Sequence, residues 1–160
     1  MITRILAVGL LTIGIACAQG PILSCTPFVP LVPLLHATAS SGAVGDTDIG
    51  CTNSGPAGTL TMNVLFSLAV PVLNTGGWTL TQGANSYTGS LFGPQAVRFT
   101  GVQYDSTLST LTYSFTGIQV NPSLEPAGFV YHEFISFSGP AVPTLTAGDV
   151  VVAINDNAPE

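Results

Sequence analysis

The chain contains no lysine, and its 160 residues include only two arginines, Arg4 and Arg98. Charged residues of both signs come to 6 % of the sequence, against about a quarter in ordinary soluble domains. This excludes a nucleic-acid ligand, because a protein that grips phosphates must displace counterions with many cationic side chains. Docking on anionic lipid fails for the same reason. The helix formers Lys, Glu and Arg are nearly missing, and no window repeats apolar residues at helical spacing. No Cys-x-x-Cys pair is present, which argues against a redox or zinc motif. No Gly-x-Ser-x-Gly turn is present, and no cluster joins a nucleophile to a base. The apolar run Ile5–Ala16 is too short to span a bilayer, which takes roughly 20 residues.

That run reads instead as the core of a signal peptide over residues 1–18. Arg4 supplies the positive start, and Ala16-Cys17-Ala18 supplies the small residues of a cleavage site. Cleavage after Ala18 leaves one domain, residues 19–160. A competing route is a lipid anchor at Cys17, since Gly14-Ile15-Ala16-Cys17 has the outline of a lipobox with Gly14 where Leu is usual. The expected destination is secretion or the cell surface, with the periplasm as a further option. Removing the peptide reduces three cysteines to two, Cys25 and Cys51. An even pair in an oxidising compartment reads as a disulfide clipping the layers of the fold. Its loop constraint is worth about 3–4 kcal/mol. The plainer alternative is two buried thiols.

The mature sequence is rich in Thr, Val, Ser and aromatics and is broken every few residues by Gly or Pro. This composition favours short strands and turns. Leu111, Tyr113 and Phe115 alternate with Thr112, Ser114 and Thr116, the period of a half-buried antiparallel strand. Val150, Val152 and Ile154 repeat the pattern. Phe129–Phe137 reads as a longer, more central strand. Further strands are expected at Ile22–Cys25, Leu34–Ala39, Thr47–Thr52, Thr59–Leu68, Trp78–Gln82, Tyr87–Phe92 and Val97–Tyr104. Turn residues separate them, as at Ser41-Gly42, Gly93-Pro94 and Asn121-Pro122. The fold expected is all-β, an antiparallel β-sandwich of Ig-like or jelly-roll-like type with about 8–10 short strands. A small outer-membrane barrel is the competitor, and it would want longer strands and aromatic girdles. Pro27, Pro30 and Pro33 recur every third residue in Thr26–Leu35, which predicts an extended segment. Its apolar filling suits an edge that closes the sandwich, or a segment that docks into another copy.

The run Leu23-Ser24-Cys25-Thr26-Pro27, followed by Gly45-Asp46-Thr47-Asp48-Ile49-Gly50-Cys51-Thr52-Asn53-Ser54-Gly55, resembles the N-terminal β-sandwich region of secreted and surface proteins of soil bacteria. There a cysteine strand precedes a Gly-Asp-Ile-x-x-Cys-Thr-x-Gly strand. The likeness continues through Asn63–Leu68, Arg98–Val102 and Phe115–Ser123, over most of residues 23–123. Thr47 and Asp48 stand between Asp46 and Ile49, a departure that shifts the strand register. The resemblance implies a sandwich with linked cysteines, often at the front of larger surface proteins, and no known activity.

Candidate chemistry is sparse. Asp46 and Asp48 lie two apart, on one side of an extended segment, and with Asn53 they form the best oxygen set for calcium. Asn155-Asp156-Asn157-Ala158-Pro159 looks like a calcium-binding linker of cadherin repeats, but Ala153 stands where an acid is expected. A solvated turn is the plainer reading of both. Trp78 and Tyr87, with Phe92 and Tyr104, are candidates for a sugar-stacking platform, although aromatics in β proteins more often fill cores. His132 and Glu133 fall on opposite faces of a strand and cannot cooperate locally. The expectation is a structural or adhesive domain without catalytic activity, partnered by copies of itself or by other surface proteins. Low charge weakens repulsion between copies and leaves few gatekeepers on strand edges. The alternative is a carbohydrate- or calcium-dependent binding module.

Overall fold

In the computed structural model, residues 22–55, 58–105, 110–140 and 142–156 are described. The expected signal peptide, Cys17 and the cleavage point after Ala18 lie outside them, as do residues 157–160. The first sheet is built from β1 (Leu23–Phe28), β4 (Thr47–Asn53), β10 (Thr110–Thr116), β6 (Thr79–Gln82), β7 (Asn85–Thr88) and β13 (Thr144–Leu145). Their spatial order is β13–β1–β4–β10–β6–β7. The second is built from β2 (Leu34–His36), β14 (Asp149–Asp156), β12 (Val130–Ser138), β5 (Thr59–Leu68), β9 (Ala96–Asp105) and β8 (Ser90–Leu91). These lie in the order β2–β14–β12–β5–β9–β8. A short ribbon pairs β3 (Gly42–Ala43) with β11 (Gln119–Val120), and a 3₁₀ turn spans Pro122–Leu124.

The strands form where alternation dictates. In β10, Leu111, Tyr113 and Phe115 point into the core and Thr112 and Ser114 between them point out. The two inner faces meet through aromatic contacts. Phe66 of β5 stacks on Phe115 of β10 at 3.9 Å between ring centroids, and Phe99 meets Phe115 edge-on at 5.4 Å. Such pairs add about 0.5–1.5 kcal/mol beyond their burial. The fold is therefore the expected all-β sandwich. It departs from the expectation at two rims, where β13 joins β1 and β2 joins β14 in parallel.

Cys25 and Cys51 face each other across the β1–β4 pair and form a disulfide. The bond ties adjacent strands of one sheet; it does not clip the two layers together, because both cysteines belong to the same sheet.

Among the described residues neither flank offers the bare edge that the low charge suggested. On one flank, residues 85–91 serve both sheets: β7 pairs with β6, and beyond Gly89 β8 pairs with β9. Gly89 is required at this crossing, since a Cβ there would sit 2.6 Å from Val97 Cγ1 and 2.8 Å from Phe99 Cζ. On the other flank the proline segment carries the chain from β1 to β2, and the rim strands are only two or three residues long. Short rims and proline are ordinary ways to blunt an edge. The extended segment thus closes the sandwich, with Pro33 accepting a backbone hydrogen bond from Ile154 at 3.1 Å.

Candidate functional site

Three features stand out on this scaffold. The first is a groove beside the start of β4. Asp48 lies opposite Ser114 in the β4–β10 ladder, and the Ser114 hydroxyl donates to Asp48 Oδ1 at 2.5 Å. Asp46 and Thr116 continue this polar wall. Pro30, Leu31 and Pro33 supply an apolar wall, and the groove so lined has a volume of about 520 Å³. Gly45 lies in its floor because nothing larger fits: a Cβ there would lie 2.5 Å from the Leu31 carbonyl oxygen and 2.8 Å from Val29 Cγ1. Leu31 is 78 % exposed. Among the described residues neither carboxylate meets a cation, and the histidine–carboxylate contact found among them joins His132 Nδ1 to Asp149 Oδ2 at 3.0 Å on the other sheet.

The second feature is an acid in the core. Glu133 is 0 % exposed. It sits on the inward face of β12 between Leu68 of β5 and Val150 of β14. Neither carboxyl oxygen has a hydrogen-bond partner among the described residues. Burial disfavours the charged form and pushes its pKa up to about 8. The Thr47 hydroxyl pulls it back a little from the opposite sheet, without closing a hydrogen bond of full geometry. Glu133 is thus a neutral acid at pH 7.

The third feature is the contrast between the outer faces. That of the first sheet is a lattice of hydroxyls. Ser24, Thr52 and Thr110 share one row, and Thr116, Thr79 and Thr88 share another. The outer face of the second sheet turns apolar near its β2 rim. Leu34, Ile154 and Val130 occupy one register row. Val151 lies opposite His132 in the next, and Phe134 extends the patch. Leu34 is 63 % exposed and Phe134 47 %.

No known family model matches the chain, and no curated protein matches it either. Solved structures give distant likenesses. One is BslA, a bacterial hydrophobin, at 12 % identity and a TM-score of 0.38, over 82 % of this chain and 94 % of that one. Another is the pilus backbone protein RrgB of Streptococcus pneumoniae, at 13 % identity and a TM-score of 0.45, over 75 % of this chain. The chain spans about a third of that protein, 31 % of its length. A third is AvmM, which catalyses macrocyclization in alchivemycin A biosynthesis, at 8 % identity and a TM-score of 0.34, over 88 % of this chain and 90 % of that one. At these distances none of the three says what this chain does.

The residues singled out from the sequence are only partly brought together. Asp46 and Asp48 share the groove. Asn53 stands at the far end of β4, five residues or about 17 Å along the strand, too distant to complete a shell with them. Its side chain closes a local turn, accepting from Gly55 N at 3.0 Å and donating to Gly55 O at 3.1 Å. Asn155 points inward and donates to the carbonyls of Pro122, Glu125 and Pro126. It anchors the 3₁₀ turn and is no part of a solvated linker. Trp78 is 1 % exposed, so its indole is a core side chain with no face for a sugar. Tyr87 is partly buried and its hydroxyl accepts from Gln103 N at 3.0 Å. The stacking platform is not assembled. Glu133 was not foreseen as a buried acid, whereas the proline segment that lines the groove was expected as a closing edge or a docking segment.

Proposed function

We propose that the chain is a non-catalytic structural or adhesive domain of a secreted or cell-surface protein, which associates with copies of itself through the outer face of its second sheet. The observation that carries this reading is the Leu34–Ile154–Val130 row with Val151 and Phe134. Contiguous exposed apolar patches mark interaction surfaces. A second copy fits the patch best. His132 sits within it between Val130 and Phe134, and Asp149 lies opposite Phe134, so a two-fold arrangement can set the histidine of one copy against the acid of the other. The low charge of the chain leaves little repulsion to oppose such packing. The disulfide and the resemblance to secreted proteins support the compartment.

Analytical ultracentrifugation of residues 19–160 tests the reading. The chain should associate with rising concentration, and Val130→Asp/Phe134→Asp should stay monomeric with an unchanged thermal transition. A wild-type monomer up to millimolar concentration refutes it.

A further inference from the structure

The groove between the proline segment and the β4–β10 ledge lies on the other sheet, and its chemistry differs from that of the apolar patch. We propose that it docks an extended segment of a different polypeptide, one that carries lysine or arginine beside an aliphatic side chain.

The argument rests on complementarity. Part of the lining presents the carboxylates of Asp46 and Asp48, and part presents Leu31 between two prolines. A ligand that satisfies both must be cationic and apolar within the span of a few residues. The groove is also held ready. Pro30 and Pro33 restrict the backbone of the apolar wall. The Ser114 hydroxyl fixes Asp48, and Gly45 donates to the Val152 carbonyl at 2.7 Å beneath the groove. A preformed site loses little ordering entropy when it is filled.

A second copy of this chain is a poor occupant. The sequence contains no lysine, and Arg98, the one basic side chain in the mature chain, is held on the second sheet over Phe92, with its Cζ 4.4 Å from the ring centroid. A bare divalent cation is also a poor match. It would use the two carboxylates but leave Leu31 and the prolines uncovered, and no cluster of three or more His, Cys, Asp or Glu side chains occurs among the described residues. The cation that answers these carboxylates must come from a partner of another sequence.

The test is an NMR titration of residues 19–160 with three blocked pentapeptides. Val-Lys-Leu-Arg-Val is the probe, Val-Glu-Leu-Glu-Val reverses its charge, and Ser-Lys-Ser-Arg-Ser removes its apolar side chains. The probe should move the amides of Val44, Gly45 and Thr116, with both controls at least tenfold weaker. Asp46→Asn/Asp48→Asn should weaken the probe at least tenfold and remove its salt dependence. The asparagines keep an oxygen for Ser114, so the fold is retained. Leu31→Ser should weaken the probe as well. The proposal is overturned if the probe leaves these amides unmoved at millimolar concentration, or if either control or the double variant binds like the probe and wild type. It is equally overturned if calcium chloride alone, or raising the chain's own concentration, shifts the same amides. Those two outcomes assign the groove to a cation or to self-association.

Discussion

Replacing Glu133 with glutamine should change how stability depends on pH. The wild-type carboxyl has a folded pKa near 8 against an ordinary 4.5. Between those values the unfolded chain has released the proton and the folded chain still holds it. Stability is then full below the unfolded value and falls as pH rises through the folded one. Each unit is worth 1.36 kcal/mol, so the whole interval of about 3.5 units costs roughly 5 kcal/mol, of which about 3 kcal/mol is already gone at pH 7. That is a large share of a typical 5–15 kcal/mol. Glutamine cannot ionise, so Glu133→Gln should hold its stability from pH 5 to 8. The assay is urea unfolding of both proteins at four pH values across that range. The wild type should lose several kcal/mol relative to the variant, and its melting temperature at pH 7 should lie roughly 6–12 °C lower. Parallel pH profiles would refute the reasoning, since they would mean that the acid ionises freely where it sits.

Cys25→Ser/Cys51→Ser should lower unfolding stability by about 3–4 kcal/mol, and dithiothreitol should then have no further effect on the urea midpoint. Gly89→Ala puts a methyl group into Val97 and Phe99, and should cost about 1–3 kcal/mol by chemical denaturation. Asn155→Ala strips the carbonyls of Pro122, Glu125 and Pro126 of their donor, for a loss of roughly 1–3 kcal/mol. Hydrogen exchange at Ser123–Gly128 should speed up more than in the sheets.

The long strands were legible because one physical rule, alternation against a buried face, wrote them into the sequence. Thr59–Leu68 runs over the same residues in both readings. Gly42–Ala43, Gln119–Val120 and Thr144–Leu145 were not legible, because two residues carry no period. Trp78 followed the plainer of its two readings, a core aromatic, and the signal for it was present: it shares the parity of Leu80 and Gln82, both buried. Glu133 carried a similar signal, sitting in step with the buried Tyr131 and Ile135. Its charge hid its place. The groove is harder to foresee. Its acidic wall is local in sequence, but the apolar wall arrives from residues 30–33 and the hydroxyl ledge from 114–116, and only the sheet topology brings them together.

The parallel rims have a mechanical consequence. Residues 23–36 and 144–156 run side by side in the same direction, with Ser24 beside Thr144 at one pole and His36 beside Asp156 at the other. A force drawn between residues 22 and 156 therefore loads these ladders along their length, so that their bonds resist together and do not unzip in turn. The link from Cys25 to Cys51 keeps the stretch between them from paying out. Tethered at those points, the domain should give way in one abrupt event under an optical trap; gradual peeling at low force would contradict that picture.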